Sequence, residues 1–151
     1  MKERTRQLVE KFFEENSRLE HCGEAILNGA KLLTECFKSG GKLLVCGNGG
    51  SCADGGHIAG ELMKGFLLKR PLSREAREKF GALFGTEGLA LAERLQCALP
   101  TISLGSHNAL LTAVGNDLGY DLVFAQQVMG YALPGDAVLG ISTSGNAENV
   151  R

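Results

Sequence analysis

Two short runs of small polar residues could hold an anionic group. One is GNGGS at 47–51, and the other is STSGN at 142–146. Each follows an apolar run, KLLVC at 42–46 in the first case and AVLGI at 137–141 in the second. Glycines let the backbone approach a ligand closely, while hydroxyl and N–H groups donate hydrogen bonds to oxyanions. The two runs therefore predict a phosphate-binding pocket where two strands end.

The first run also has simpler explanations. A glycine-rich turn after a strand is often only a tight connection to the next helix. A dinucleotide fingerprint fits poorly, because Cys52 stands at the third glycine position, and no Gly-Lys-Ser/Thr of a P-loop follows. The second run favours binding, since one serine would be enough to cap a helix and this run has three hydroxyls in a row.

His57 and Glu61 are four residues apart in a predicted helix, so they share one helix face. One interpretation is a solvated pair of little energetic consequence. The other is a catalytic pair, in which Glu61 removes a proton from carbon while His57 binds a metal ion or orients the base. Asn116 and Asp117 also have two interpretations: they could form a turn that ends a helix, or they could make polar contacts to a sugar.

Composition restricts the class of protein. The chain has 151 residues, 44% of them apolar, and a formal net charge of −1. It can build one domain with a core, and its charge gives no electrostatic case for binding nucleic acid or a membrane. The five cysteines lack CxxC spacing, which favours reduced thiols in a cytoplasm over a disulfide scaffold or a zinc–thiolate site.

Hydrophobic periodicity predicts a helical pair at the N-terminus. Apolar residues recur there at three-, four- and seven-residue spacing, which indicates helices at about 3–15 and 18–38. Asn16 and Ser17, with Glu20 three residues after Ser17, are typical of a capping box that starts the second helix.

Beyond Gly41, apolar strands alternate with helices. The strands are predicted at 42–46, 101–105 and 137–141, and the first is followed by a helix at about 53–66. This order predicts an α/β fold with a parallel sheet covered on both faces. The segment at about 70–100 is predicted to be an inserted helical pair, with Ser73 as a cap.

These elements are expected to form one domain over 1–151, with helices at 1–40 and an α/β sandwich at 42–151. Three strands make a thin sheet. The sequence also stops at Arg151, one turn into the helix that STSGN should open. We therefore expect the C-terminal part of the domain to be missing.

The ordered motifs resemble those of a known family. GNGGS, HxAxE from His57 to Glu61, GND at 115–117 and GxSTSGN at 140–146 match the series of the SIS (sugar isomerase) domain. The chain looks most like the phosphoheptose isomerase branch, which interconverts sedoheptulose 7-phosphate and a heptose 7-phosphate. The resemblance implies a three-layer α/β/α sandwich with an N-terminal helical pair. It also implies a cytoplasmic homotetramer with active sites at subunit interfaces, and often a zinc ion.

The resemblance assigns roles to residues of this chain. His57 and Glu61 fall on zinc-ligand positions, and Glu61 is also the implied base for enediol-type proton transfer. The roles of zinc ligand and catalytic base conflict in one carboxylate, because a bound metal ion lowers its basicity. The predicted substrate-binding set is Asn48, Gly49, Gly50, Ser51, Asn116, Asp117, Ser142, Thr143, Ser144 and Asn146.

Three departures from the family pattern affect these expectations. A glutamine and a histidine that the family carries on a late helix would lie beyond Arg151. Ala147 stands where a serine usually follows STSGN, so one phosphate contact is absent. The segment at 70–100 is much longer than in the heptose isomerases, which leaves the identity of the sugar open.

The sequence therefore predicts an aldose–ketose isomerase of a phosphorylated sugar. The alternative is a non-catalytic phosphosugar-binding protein, or a tetrameric partner of a replication initiator like the DnaA initiator-associating protein. The presence of His57 and Glu61 favours the enzyme, because a sensor would not need that pair.

Overall fold

The computed structural model describes residues 3–151, and the chain divides into two compact units. The first unit ends at Glu35, and the second runs Cys36–Arg151. The division thus falls within a helix, several residues before the boundary near residue 41 that the pattern predicts.

The N-terminal helices are α1 (Glu3–Glu15), a 3-10 helix (Ser17–Cys22) and α2 (Gly23–Lys38). The predicted second helix, at 18–38, therefore begins with a 3-10 segment. The predicted capping box is wrong for Asn16, whose side chain makes no capping bond. Its amide donates instead to the Phe12 carbonyl oxygen at 2.9 Å, so it ends α1 and does not start the next helix.

Three parallel strands form the sheet of the second unit. They are β1 (Leu43–Gly47), β2 (Thr101–Ser103) and β3 (Ala137–Ile141), in the order β2-β1-β3. The predicted parallel sheet is confirmed, and β3 has its predicted bounds. In β1, Leu43 and Val45 are fully buried and alternate with the equally buried Leu44. A strand buried on both faces is typical of a parallel sheet between two helical layers.

The helices of the second unit are α3 (Gly50–Met63), α4 (Arg74–Arg94), α5 (Asn108–Asp117), a 3-10 helix (Tyr120–Leu122) and α6 (Ala125–Tyr131). In α4, Gly85 has φ 60° and ψ −139°, so two helical arms meet there as the sequence predicts. The Ser73 hydroxyl caps the first arm by accepting from the Ala76 N–H at 3.1 Å. Within residues 3–151, no helix is both long and apolar enough to cross a membrane.

Helices cover opposite faces of β1. On one face lies α3, where a Cβ added to Gly55 would stand 3.1 Å from Val45 Cγ1. On the other face, Leu44 and Cys46 pack in a core cluster with Val114 of α5 and Phe124. Successive strand residues point to opposite faces, so the second unit has the three α/β/α layers that the resemblance implies.

The outer strands are less covered by helices than β1. Val138 of β3 is 53% exposed and Ile102 of β2 is 37% exposed. Both are the register partners of Leu44, which is fully buried on the same face. The core cluster centres on β1, so the strands on either side of it have fewer neighbours.

Asp136 links β1 and β3 at the end of the sheet where both strands begin. Its carboxylate pairs with the Lys42 ammonium and accepts from the Lys42 and Leu133 N–H groups at 2.8 and 2.7 Å. The ammonium contributes most, followed by the two N–H groups, and together they lower the pKa of Asp136 to about 2. The ionised carboxylate therefore stabilises the fold.

We expect the contribution of Asp136 to stability to be lost in acid. Because its pKa is lower in the folded chain, the contribution is complete above the ordinary carboxyl pKa, near 4, and disappears as pH falls towards 2. Urea unfolding should show Asp136→Asn to be less stable than the parent at pH 6, with a difference that shrinks below pH 4. Asp121→Asn, at an exposed position, is the control. A difference independent of pH would contradict this role.

Candidate active site

The first polar loop is shorter than the sequence predicts. Helix α3 begins at Gly50, three residues before the predicted start, because Gly49 turns the chain with φ 53° and ψ −121°. Residues other than glycine rarely adopt this backbone conformation. Ser51 consequently lies in the first turn of α3, where it is 7% exposed. Cys52 is the first residue of α3 whose N–H donates to a preceding carbonyl oxygen. The N–H groups of Gly50 and Ser51 lie before it at the helix start, where N–H groups have no partner within the helix.

The second polar loop is shaped by its own hydroxyl groups. Ser142 Oγ accepts from the Gly145 N–H at 3.1 Å, and Ser144 Oγ accepts from the Asn146 N–H at 3.2 Å. A hydroxyl that accepts one hydrogen bond still has its own hydrogen to donate. The loop thus holds two oriented O–H donors, with the exposed Thr143 between them.

The two loops line one small cavity of about 160 Å³, which we call the serine cavity. Its lining residues are Asn48, Ser51, Ile141, Ser142, Thr143, Ser144 and Ala147. Among these residues of the described chain, none is basic. An anion there would be held by hydroxyl and N–H donors and by the positive end of the α3 dipole. Ala147 contributes a methyl group to the wall of this cavity.

Asn48 is tied to a residue that sequence reasoning missed. Its Nδ2 donates to Asn149 Oδ1 at 2.7 Å, and Asn149 Nδ2 donates back to Asn48 Oδ1 at 3.0 Å. This reciprocal pair joins the loop after β1 to the turn after β3, across 101 positions of sequence. Each amide keeps a second N–H for a ligand.

A second, larger cavity of about 280 Å³ lies beside Asn48, and we call it the tyrosine cavity. Its lining combines the loop after β1 with α5 and the 3-10 helix that follows. The residues are Gly47, Asn48, Gly49, Cys52, Gly105, Asn108, Leu111, Thr112, Tyr120, Val123, Phe124 and Asn149.

His57 and Glu61 lie further along α3 and line neither cavity. His57 Nε2 is 3.9 Å from Glu61 Oε1, and their side chains are 79% and 34% exposed. Glu61 follows Gly50 by eleven positions, which is roughly 16 Å along a helix axis. Within one chain, the pair and the serine cavity therefore do not share a wall.

The pair does not by itself fit a zinc ion. Catalytic zinc takes three protein ligands and a water molecule, whereas His57 and Glu61 supply two. In the part of the chain from residue 3 onward, no group of three or more His, Cys, Asp or Glu side chains is placed to hold a metal. Within one chain, His57 and Glu61 therefore make an incomplete zinc site.

The remaining predicted site residues lie outside both cavity walls. Asn116 and Asp117 end α5, where Asn116 Nδ2 donates to Asp117 Oδ1 at 2.7 Å. Gly50 and Asn146 flank the serine cavity in the chain without lining it. Asn116 and Asp117 therefore need another surface if they are to contact the same ligand as the serines.

Gln127 supports the tyrosine cavity and was also missed by sequence reasoning. It is 2% exposed, and its Nε2 donates to the Leu104 and Val123 carbonyl oxygens at 3.0 and 2.9 Å. These bonds hold the chain just before Gly105 against the start of α6. The sequence carries no signal for this role, since Gln127 interrupts a short apolar segment whose helix was not predicted.

Comparison with known proteins leads to the same family as the order of the motifs. The family model described as "SIS domain" matches residues 3–77. A phosphoheptose isomerase of Trichlorobacter lovleyi is 42% identical over 122 residues, which are 81% of this chain and 49% of that protein. A phosphoheptose isomerase of Rhodospirillum rubrum is 39% identical over 133 residues, or 88% of this chain and 57% of that protein. The chain thus spans about half the length of these relatives.

Solved structures give the same result. The phosphoheptose isomerase of Neisseria gonorrhoeae superposes with a TM-score of 0.63 at 32% identity, over 97% of this chain and 65% of that one. That of Francisella tularensis has a TM-score of 0.65 at 30% identity, with the same coverage. By its motif order, its fold and these likenesses, the chain is similar to the SIS domain family and, within it, to the phosphoheptose isomerases.

Proposed function

We propose that the protein is a phosphosugar aldose–ketose isomerase, most like the sedoheptulose 7-phosphate isomerases. The serine cavity carries this proposal. It places the hydroxyls of Ser142, Thr143 and Ser144 beside the first turn of α3, at the carboxyl ends of two parallel strands. Ligands of open α/β sheets bind at that end, and phosphate suits a helix N-terminus.

Proton transfer between adjacent carbons is the proposed reaction. A base takes the proton from C1 of the ketose, beside the C2 carbonyl, which gives an enediol or enediolate. The base then returns the proton to C2 while the O1 proton moves to O2, which gives the aldose. Glu61 is the proposed base, because a carboxylate can both accept and return the proton. His57 would orient it through the contact at 3.9 Å.

A second copy of the chain is proposed to complete the site. This would bring His57, Glu61, Asn116 and Asp117 of one copy to the carbon chain of the sugar whose phosphate another copy holds, as the family resemblance implies. Exposed apolar side chains support association, since α1 buries no residue and Leu8 is 54% exposed. The proposed assembly is a tetramer, which light scattering of the purified protein would test.

Zinc and location complete the proposal. If zinc is present, His57 and Glu61 would be two of its ligands, and it would polarise the carbonyl and hydroxyl oxygens of the sugar. The remaining ligands would come from outside the described pair. The proposed location is the cytoplasm, in keeping with five cysteines that are all free thiols.

A proton-exchange assay tests the activity. Purified protein is incubated with sedoheptulose 7-phosphate in deuterated water, with and without added zinc, and deuterium incorporation is followed by NMR. We expect deuterium on the carbon next to the carbonyl, because an enediol intermediate exchanges with solvent. Boiled protein is the control, and other ketose phosphates are tested in parallel.

The same assay distinguishes a protein that only binds phosphosugars. A binding protein would need the serine cavity and not Glu61. The observation that favours this function is that Glu61 and the serine cavity are separated within one chain. Sedoheptulose 7-phosphate could bind saturably while no ketose phosphate exchanges deuterium in any metal condition. That result would contradict the isomerase and favour a phosphosugar sensor or a partner protein.

A further inference from the structure

The last turn of α3 carries Glu61, and the helix itself holds this turn only in part. Its last internal bond runs from the Lys64 N–H to the Gly60 carbonyl oxygen at 3.2 Å. The carbonyl groups that follow have no partner inside a helix, and helix ends fray unless other groups bind them. The position of Glu61 therefore depends on what binds the chain immediately after it.

Two groups from outside α3 bind the carbonyl oxygen of Leu62, the residue after Glu61. One is the guanidinium of the half-buried Arg70, through Nη2, and the other is the Leu99 N–H at 2.9 Å. A cation near the C-terminal end of a helix also interacts favourably with the helix dipole. Leu99 lies two residues before β2, so its bond ties the helix end to the sheet. Arg70 holds the same end from the side of the inserted helical pair.

Gln96 connects Arg70 to the chain on either side of the inserted pair. Its Oε1 accepts from the Gly65 N–H at 3.1 Å and from the Arg70 N–H at 3.0 Å. Arg70 Nε in turn donates to the Cys97 carbonyl oxygen at 2.9 Å, and the Cys97 N–H donates to the Arg70 carbonyl oxygen at 2.7 Å. Arg70 and Gln96 thus close the base of the inserted pair, where the chain leaves α3 and returns.

We propose that Arg70 and Gln96 are positioning residues for the base Glu61. Neither lines the serine cavity or the tyrosine cavity, so they act through the backbone of α3 and not on a ligand in those cavities. They keep the last turn helical, which fixes where the Glu61 carboxylate meets C1 of the sugar. A displacement of about 1 Å at a catalytic group can lower a rate by about 10²-fold. This inference rests on the proposed function, since it takes Glu61 as the base.

The test separates the rate of proton transfer from phosphate binding in four variants: Arg70→Ala, Arg70→Lys, Gln96→Ala and Gln96→Glu. NMR gives the rate of deuterium incorporation at saturating sedoheptulose 7-phosphate, and calorimetry gives the affinity for inorganic phosphate. Lysine keeps the charge and can replace only part of the guanidinium's bonding, whereas glutamate keeps an oxygen that accepts both N–H bonds of Gln96. Arg74→Ala is the matched control, because Arg74 is an exposed arginine of the inserted pair that bonds Glu78.

We expect Arg70→Ala to lower the maximal exchange rate by about tenfold or more, since it removes hydrogen bonds from a charged donor. Gln96→Ala should lower it by roughly threefold to tenfold, as the loss of a neutral acceptor implies. Arg70→Lys should fall between Arg70→Ala and the parent, and Gln96→Glu should stay close to the parent. All four variants and the control should bind inorganic phosphate like the parent, which also shows that they fold.

Three results would overturn the positioning role in a parent that exchanges deuterium. One is an unchanged maximal rate in both Arg70→Ala and Gln96→Ala. Another is a loss of rate that is matched by a loss of phosphate affinity, as general damage to the fold predicts. The third is a Gln96→Glu variant as slow as Gln96→Ala. A parent that exchanges no deuterium would instead overturn the proposed function, and the positioning role with it.

Discussion

Replacing Glu61 with glutamine is expected to lower proton exchange by about 10²–10⁴-fold, the usual contribution of a general base. Glutamine keeps the size and helical preference of the side chain and loses its basicity. Glu61 is half-buried in the fourth turn of α3 and contacts the exposed His57. Because it lines neither cavity of its own chain, its loss should leave inorganic phosphate binding unchanged.

Two measurements on the same protein separate these effects. NMR gives the rate of deuterium incorporation into sedoheptulose 7-phosphate, and calorimetry gives the affinity for inorganic phosphate. Glu78→Gln is the matched control, since Glu78 also pairs with a residue four positions away, Arg74, on an exposed helix face. It should behave as the parent. Full exchange activity in Glu61→Gln would show that Glu61 is not the base.

Removing the two oriented hydroxyls of the serine loop is expected to weaken phosphate binding by about 10²-fold. The double variant Ser142→Ala/Ser144→Ala loses two donors to a charged ligand, each typically contributing about 1.5–3 kcal/mol, and the lower end applies because this loop is open to solvent. It also loses the acceptors of the Gly145 and Asn146 N–H groups. Both effects act on the phosphate site.

Single variants show whether binding or loop shape is responsible. Thr143→Val removes a hydroxyl that accepts no bond from the loop backbone within residues 3–151, so any loss it causes reports ligand contact alone. Ser106→Ala, exposed and outside both cavities, is the control and should bind inorganic phosphate like the parent. Unchanged phosphate affinity in the double variant would remove the serine cavity as the phosphate site.

The strands and the serine loop could be predicted because their signals are local. An unbroken apolar run followed by glycine and hydroxyl residues is enough to place β3 at its observed bounds and STSGN after it. The start of α3 could not be placed, since it depends on the backbone conformation of Gly49, and GNGGS allows the turn at several glycines. The covering of β2 and β3 also depended on packing that periodicity does not report.

By itself, the sequence determined the α/β class, the parallel sheet and the two loops that form the serine cavity, because these follow from hydrophobic period and residue type along short segments. Only the tertiary structure decided which distant residues meet. It paired Asn48 with Asn149, enclosed the tyrosine cavity between Asn108 and Tyr120, and kept Glu61 away from the serines. Such contacts depend on how helices pack against the sheet, and spacing along the chain does not encode that distance.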